Sequence, residues 1–230
     1  MEYRILPRGG EKISVIGLGG GYIGEGGEKE MREALELAVG RGVNYFDLAM
    51  SEASPFAVYG ETLKDRRKEL YYQVHFGAEY RTGKYGWTLS LERIKKSVDW
   101  QLKNLKTDYI DFGFVHCIDE EADLRKVLEG GTLDYMKQLK EAGVMRHIGL
   151  SSHTPGIVNR MLDTGLIDMV MFSINPAYDY RHGDYAIGTV DERTALYRRC
   201  EAEGVGISVM KAFGGGQLLN AGTSPFRQAL

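Results

Sequence analysis

The sequence predicts an α/β protein of parallel βαβ units, best read as a (β/α)8 barrel that stops after its seventh unit. Three observations carry this reading. Apolar strand-like runs and helix-period stripes alternate at roughly 30-residue spacing, the pattern of crossover connections. Thirty of the 230 residues are glycine, well above the usual share of roughly 7%, and they stand at segment ends, where tight connections need them. Hydrophobic residues make up 43% of the chain. That suffices for one core and one domain over residues 1–230, while the length is short for two ordinary α/β domains.

The elements follow in order. Residues 3–6 and 12–18, around Pro7-Arg8-Gly9-Gly10, read as an opening β-hairpin. Met31, Leu35, Leu37, Ala38 and Val39 form a helical stripe that Gly40 and Gly42 end. A strand over 43–47 is followed by a helix over 54–68, capped at Ser54-Pro55, with Phe56, Tyr59 and Leu63 on one face and Gly60 within it. Next come a strand over 70–77, a helix over 91–105, a strand over 109–117 and a helix over 124–142 closed by Gly143. After a strand over 147–151, Thr154-Pro155 opens a helix with a capping hydroxyl and a proline in the first turn. A strand over 169–174, a helix over 192–203 closed by Gly204 and a strand over 205–210 complete the alternation.

Seven strands fit either a doubly wound sheet or most of a barrel. Gly17, Gly19, Gly20, Gly21 and Gly24 suggest a dinucleotide fingerprint, but residues 25–28 start no helix at the spacing it requires. The barrel is therefore preferred. Ser224-Pro225 opens a helix that 226–230 leave short, and an eighth strand is missing. Both lead us to expect the front of a longer chain. The alternative is a seven-unit protein whose gap a partner fills.

Composition excludes several classes. A formal charge of −3 and a pI near 6.0 give no broad basic face for nucleic acid. Cys117 and Cys200 cannot build a disulfide framework, which points to a reducing, cytoplasmic setting. No apolar run approaches the roughly 18 residues of a membrane span, and the N-terminus lacks a secretory h-region.

In a barrel of this kind, function sits where strands end. The predicted strands end in polar residues: Asp47, His75, His116, Ser151-Ser152-His153, Asn175, and Met210-Lys211 followed by Gly214-Gly215-Gly216. Other polar groups read more plainly. Lys95-Lys96 and Arg66-Arg67-Lys68 are expected to be solvated helix ends, and Cys117 a buried strand residue rather than a nucleophile. Tyr178, Tyr180, His182 and Tyr185 crowd the loop after the sixth strand, and Tyr80, Lys84, Tyr85 and Trp87 the loop after the third. Either loop suits a lid or a solvated loop with aromatic anchors.

Four segments carry a resemblance: GVNYFDLA (42–49), TDYIDFGFVHCID (107–119), GVMRHIGLSSHTP (143–155) and GVGISVMKAFGGGQLL (204–219). Over nearly the whole chain it resembles the aldo-keto reductases, in particular the bacterial branch that often carries an iron–sulfur extension. The resemblance implies an NADPH-dependent reductase of small carbonyls on an eight-stranded barrel. It makes Ser151, Ser152, Asn175, Met210, Lys211, Gly214 and Gly215 the cofactor-binding candidates. An iron–sulfur cluster is expected only in an extension beyond Leu230.

The family's active site combines Asp, Tyr, Lys and His, and this sequence departs from that set. Asp47 and His116 match. His75 stands where the family has lysine, and imidazole, with a reference pKa near 6.5, is mostly neutral at pH 7. Tyr59-Gly60 resembles the family's Tyr-Gly pair but lies twelve residues after Asp47, where the family has about five. The alternative alignment puts Glu52 at the tyrosine position and makes Tyr59 a packing residue. The expected catalytic set is therefore Asp47, Glu52, His75 and His116, with an imidazole or a carboxyl of raised pKa as proton donor. Two rivals remain: a catalytically altered nicotinamide-binding or sensing relative, and a metal-dependent lyase or isomerase using the same side chains as ligands.

Overall fold

The structure is a computed structural model that describes residues 1–179 and 185–219. It divides into two compact units, Met1–His116 with Arg125–Ile148, and Cys117–Leu124 with the residues from Gly149 onward. Tyr180, His182 and the helix expected from Ser224-Pro225 lie outside the described residues.

The first unit opens with β1 (Tyr3–Ile5) and β2 (Lys12–Ser14), an antiparallel pair. The strand expected over 12–18 is two strands. Ser14 ends the hairpin, its amide donating to Asn44 Oδ1 at 2.8 Å and its hydroxyl to the Ile16 carbonyl at 2.8 Å. The parallel sheet begins separately at β3 (Leu18–Gly19). Helix α1 (Gly27–Gly40) buries Met31, Leu35 and Val39, whereas Leu37 faces solvent. Strand β4 (Tyr45–Asp47) ends at Asp47 as expected.

Helix α2 (Ser54–Leu63) is shorter than expected, because residues 64–69 tighten into a 3₁₀ turn. Its N-cap is Ala53, not Ser54, whose hydroxyl donates instead to Glu52 Oε1 at 2.7 Å. Strand β5 (Tyr71–Phe76) runs one residue past His75. The loop after it holds an unforeseen antiparallel pair, β6 (Ala78–Glu79) and β7 (Gly86–Trp87). Then come α3 (Leu91–Leu105) and β8 (Ile110–Val115).

The helix expected over 124–142 is two helices, α4 (Glu121–Glu129) and α5 (Thr132–Glu141). Between them Gly131 has φ +80°, a left-handed conformation that suits glycine and breaks the run. Strand β9 (Met145–Ser152) passes from the first unit into the second.

The second unit continues with α6 (Pro155–Leu162), β10 (Met169–Ser173), the unforeseen short helix α7 (Pro176–Asp179), α8 (Val190–Glu203) and β11 (Gly206–Met210). The expected hydroxyl cap on α6 is absent: Thr154 Oγ1 donates to the Asp119 carbonyl at 3.1 Å. Helix α8 starts two residues earlier than expected because Thr189 and Glu192 form a reciprocal capping box.

All neighbouring strands from β3 to β11 in the main path pair in chain order, β3-β4-β5-β8-β9-β10-β11. The β3–β4, β4–β5, β5–β8, β9–β10 and β10–β11 pairs are all parallel. A doubly wound sheet reverses its strand order at a switch point. This one does not, so the fold class is that of the (β/α)8 barrel with seven parallel strands among the described residues. No described helix is long and apolar enough to cross a membrane.

One charged residue corrects the sequence reading. Arg67, expected to be solvated, is 5% exposed. Its guanidinium lies between the Tyr72 and Tyr109 rings, 4.1 and 4.0 Å from their centroids. It pairs with Asp111 at 2.7 Å and donates to the Leu70 carbonyl at 2.9 Å. Burial raises the Asp111 pKa, and the arginine works against that rise.

Candidate active site

In the first unit, β4, β5 and the residue after β8 deliver Asp47, His75 and His116. Alternation along β5 turns residues 73 and 75 to the same side, and both reach Asp47. His75 Nε2 lies 2.6 Å from Asp47 Oδ1, and Gln73 Nε2 donates to the same oxygen at 3.1 Å. The Tyr45 hydroxyl donates to Gln73 Oε1, which orients the amide with its nitrogen toward the carboxylate. Asp47 can only accept here, so the hydrogen-bond network assigns the His75 proton to Nε2. His75 itself is fully buried, and its Nδ1 has no hydrogen-bond partner.

The His116 ring meets His75 edge-on, centroids 4.5 Å apart at 83°. Its Nε2 lies 3.0 Å from the Tyr85 hydroxyl, and its carbonyl accepts from Trp87 Nε1 at 2.8 Å. Side chains from two sheet strands and from the β6–β7 loop thus line up as Asp47, His75, His116 and Tyr85.

Glu52 stands apart from this line. It forms an ion pair with Lys84 at 2.9 Å and accepts from Ser54. Hydrogen bonds from Lys84 and Ser54 hold its carboxyl below the usual range. That corrects the expectation of a carboxyl with raised pKa acting as acid. Tyr59 is fully buried, edge-on to Phe46 at 5.9 Å, and its hydroxyl has no partner. Burial raises its pKa far above that of a free phenol, and the ring packs in the core.

A second polar cluster lies in the second unit, at the ends of β9 and β11. Asp119 accepts from the His153 amide at 2.5 Å and from Ser152 Oγ at 3.1 Å, and lies 2.8 Å from His153 Nδ1. Burial would raise the Asp119 pKa, but the His153 and Ser152 hydrogen bonds outweigh it and bring it to about 2. On the other edge of the ring, Lys211 Nζ lies 3.1 Å from His153 Nε2 and 4.0 Å over the Tyr185 ring. Desolvation lowers the Lys211 pKa.

Cys117, Asp119 and His153 also stand close enough together to hold a metal ion. Without a metal, the Asp119 carboxylate already engages His153 Nδ1, and burial pushes the Cys117 thiol up to about 12. None of Asp47, Glu52, His75 and His116 belongs to this group.

The cofactor candidates divide by what their polar atoms already do. Ser152 is engaged by Asp119, and its hydroxyl also accepts from the Thr154 amide at 3.1 Å. Asn175, two residues past the end of β10, donates to the Lys211 carbonyl at 2.8 Å and accepts from the Tyr178 amide at 3.0 Å. Ser151 is buried beside the Cys117 thiol, and Met210 ends β11. Beyond it Lys211, Gly214, Gly215 and Gly216 all have positive φ, and open space surrounds the positions a Cβ would take on Gly215 and Gly216. An ammonium beside an open glycine turn suits a phosphate group that must approach backbone closely.

Four members of these clusters escape a reading by strand ends. Gln73 was legible from its position two residues before His75. Asp119 stands three residues past His116, in the VHCID segment. Tyr45 carries no local signal, and Tyr85, marked by the sequence only as part of a lid or an aromatic anchor, comes to His116 through folding.

Comparison with known proteins agrees with this geometry. The sequence model of the aldo/keto reductase family matches residues 15–229. L-galactose dehydrogenase of Arabidopsis thaliana is 30% identical over 74% of this chain and 56% of its own length. An uncharacterized oxidoreductase of Bacillus subtilis, YqkF, is 28% identical over 76% of this chain and 56% of its own. The chain thus spans little more than half the length of these relatives. Among solved structures, the holo form of aldo-keto reductase AKR11C1 from Bacillus halodurans superposes with a TM-score of 0.73, at 23% identity, covering 95% of this chain and 67% of that one. With parallel strands in unbroken chain order, polar residues at their ends and a family match across both units, the chain belongs to the aldo/keto reductase family.

Proposed function

We propose that this protein is an NADPH-dependent oxidoreductase that reduces a small carbonyl with an altered catalytic set. Residues 1–230 are read as one domain, which the family match over residues 15–229 supports. The observation that carries the reading is the Asp47–His75 contact of 2.6 Å leading to His116. It joins a half-buried carboxylate to a fully buried imidazole that meets His116.

Bound NADPH would supply the hydride. Lys211 with Gly214 and Gly215 would hold its phosphates, and Ser151, Ser152, Asn175 and Met210 would border the nicotinamide. Asp47 fixes the His75 ring, with Gln73 donating to the same carboxylate oxygen, and His75 in turn buttresses His116. His116 faces the carbonyl oxygen and the group that protonates it. The set needs no metal. Both cysteines of residues 1–230 are free, which suits a reducing cytoplasm, and a four-thiolate iron–sulfur cluster would need cysteines outside these residues.

NADPH binding followed by fluorescence quenching, and NADPH oxidation with a panel of aldehydes and ketones, test the proposal. Saturable binding with turnover of at least one carbonyl is expected, and no binding up to millimolar NADPH overturns it. The fully buried Tyr59 and the ion-paired Glu52 favour a second reading, a nicotinamide-binding or sensing relative without reductase chemistry. Binding without turnover across the panel would select that reading.

A further inference from the structure

We infer that Tyr85 is the proton donor of the proposed reductase site, supplied by the loop after β5 and not by the segment after Asp47; this rests on the reading above. An acid for a carbonyl oxygen must be reachable by substrate and coupled to the site's polar groups. The tyrosines around the first cluster differ sharply on both counts. Tyr59 is buried without a partner, Tyr45 is buried and spends its hydroxyl on Gln73, and the Tyr80 hydroxyl accepts from the Met50 amide at 3.0 Å. Tyr85 is 42% exposed and its hydroxyl lies 3.0 Å from His116 Nε2.

The position of Tyr85 is built. Its amide donates to the Ser51 carbonyl at 3.0 Å, and the Ala53 amide donates to the Gly83 carbonyl at 2.9 Å. Lys84, between them in the loop, pairs with Glu52 at 2.9 Å. Next along the chain, Trp87 anchors β7 to the His116 carbonyl at 2.8 Å. The loop is thereby zipped to residues 51–53 on one side and to His116 on the other. Glu52 then has a role its own carboxyl chemistry denied it: a positioning residue that holds the strap carrying Tyr85.

The step balances as follows. Bound NADPH would supply the hydride that adds to the carbonyl carbon, the substrate being reduced and the cofactor oxidised. The C=O π pair moves onto oxygen, which takes the Tyr85 phenolic proton. His116 Nε2–H donates to the phenolate left behind, which recovers a proton from the water its exposure admits.

The test uses Tyr85→Phe, with Tyr59→Phe and Tyr80→Phe as controls, in NADPH-dependent reduction of 4-nitrobenzaldehyde. For Tyr85→Phe, kcat is expected to fall about 10²-fold or more with the NADPH Kd unchanged, while both controls stay within about threefold of wild type. In cofactor-free protein labelled at histidine Cε1, the His116 NMR resonance is expected to move on Tyr85→Phe. Glu52→Gln should lower kcat less than Tyr85→Phe does. A Tyr85→Phe enzyme within threefold of wild type, or an unmoved His116 resonance, overturns the inference and leaves the proposed reductase standing. A wild-type protein without turnover overturns the proposed reductase, and this inference with it.

Discussion

His75 and Tyr59 are both fully buried, yet one is wired to a carboxylate and the other to nothing. A buried hydroxyl without a partner keeps the full cost of its lost hydration, about 1–3 kcal/mol. Tyr59→Phe is therefore expected to stabilise the protein by about 1 kcal/mol in urea unfolding while leaving turnover intact; a destabilised variant would mean that Tyr59 has a partner. Asp119 makes the opposite case. Its hydrogen bonds bring its pKa to about 2 in the folded state, against roughly 3.9 for an unperturbed aspartate. The stability this adds is present above about pH 4 and is lost as pH falls through the folded value. The Tm gap between wild type and Asp119→Asn should hold steady from pH 7 to 5 and narrow between pH 4 and 2. A gap that widens toward low pH would contradict the assignment.

At the scale of elements, helix contact and strand ends make different demands. Gly60 on α2 lies against the backbone of α3, and an added Cβ would come 2.1 Å from the Asn104 carbonyl oxygen. Backbone cannot yield as a side-chain tip can. Gly60→Ala should therefore cost about 1–3 kcal/mol by overpacking, measured by urea unfolding, and an unchanged midpoint would show that the helices part freely. Arg67 ties the Leu70 and Tyr109 carbonyls and the Asp111 carboxylate together. Removing it leaves Asp111 buried without its closest cation, and Arg67→Ala is expected to cost about 3–5 kcal/mol. A loss under 1 kcal/mol in the same assay would mean that Arg146, 3.3 Å from Asp111, suffices alone.

Across the whole molecule, strand order carries the fold and ligand binding is its most direct check. If the Lys211 and glycine turn holds NADPH, cofactor at 100 times its Kd should add about 2.7 kcal/mol to the unfolding free energy. That is a thermal shift of a few degrees, which Lys211→Ala should abolish; a shift that survives the substitution would move the phosphate site elsewhere.

Read without coordinates, the chain already displays the succession of βα units, the ends of most strands and the standing of Asp47, His75 and His116 at or beside those ends. Periodicity, turn residues and polar terminations are local properties, and the chain displays them before it folds. Tertiary contacts alone bury Arg67, bring Asp47 to His75, commit Glu52 to Lys84 and carry Tyr85 to His116 on the loop after β5. Those outcomes depend on which distant segments come within about 3 Å of each other. Hydrogen bonds and desolvation act only at that range, and no local pattern in the chain records it.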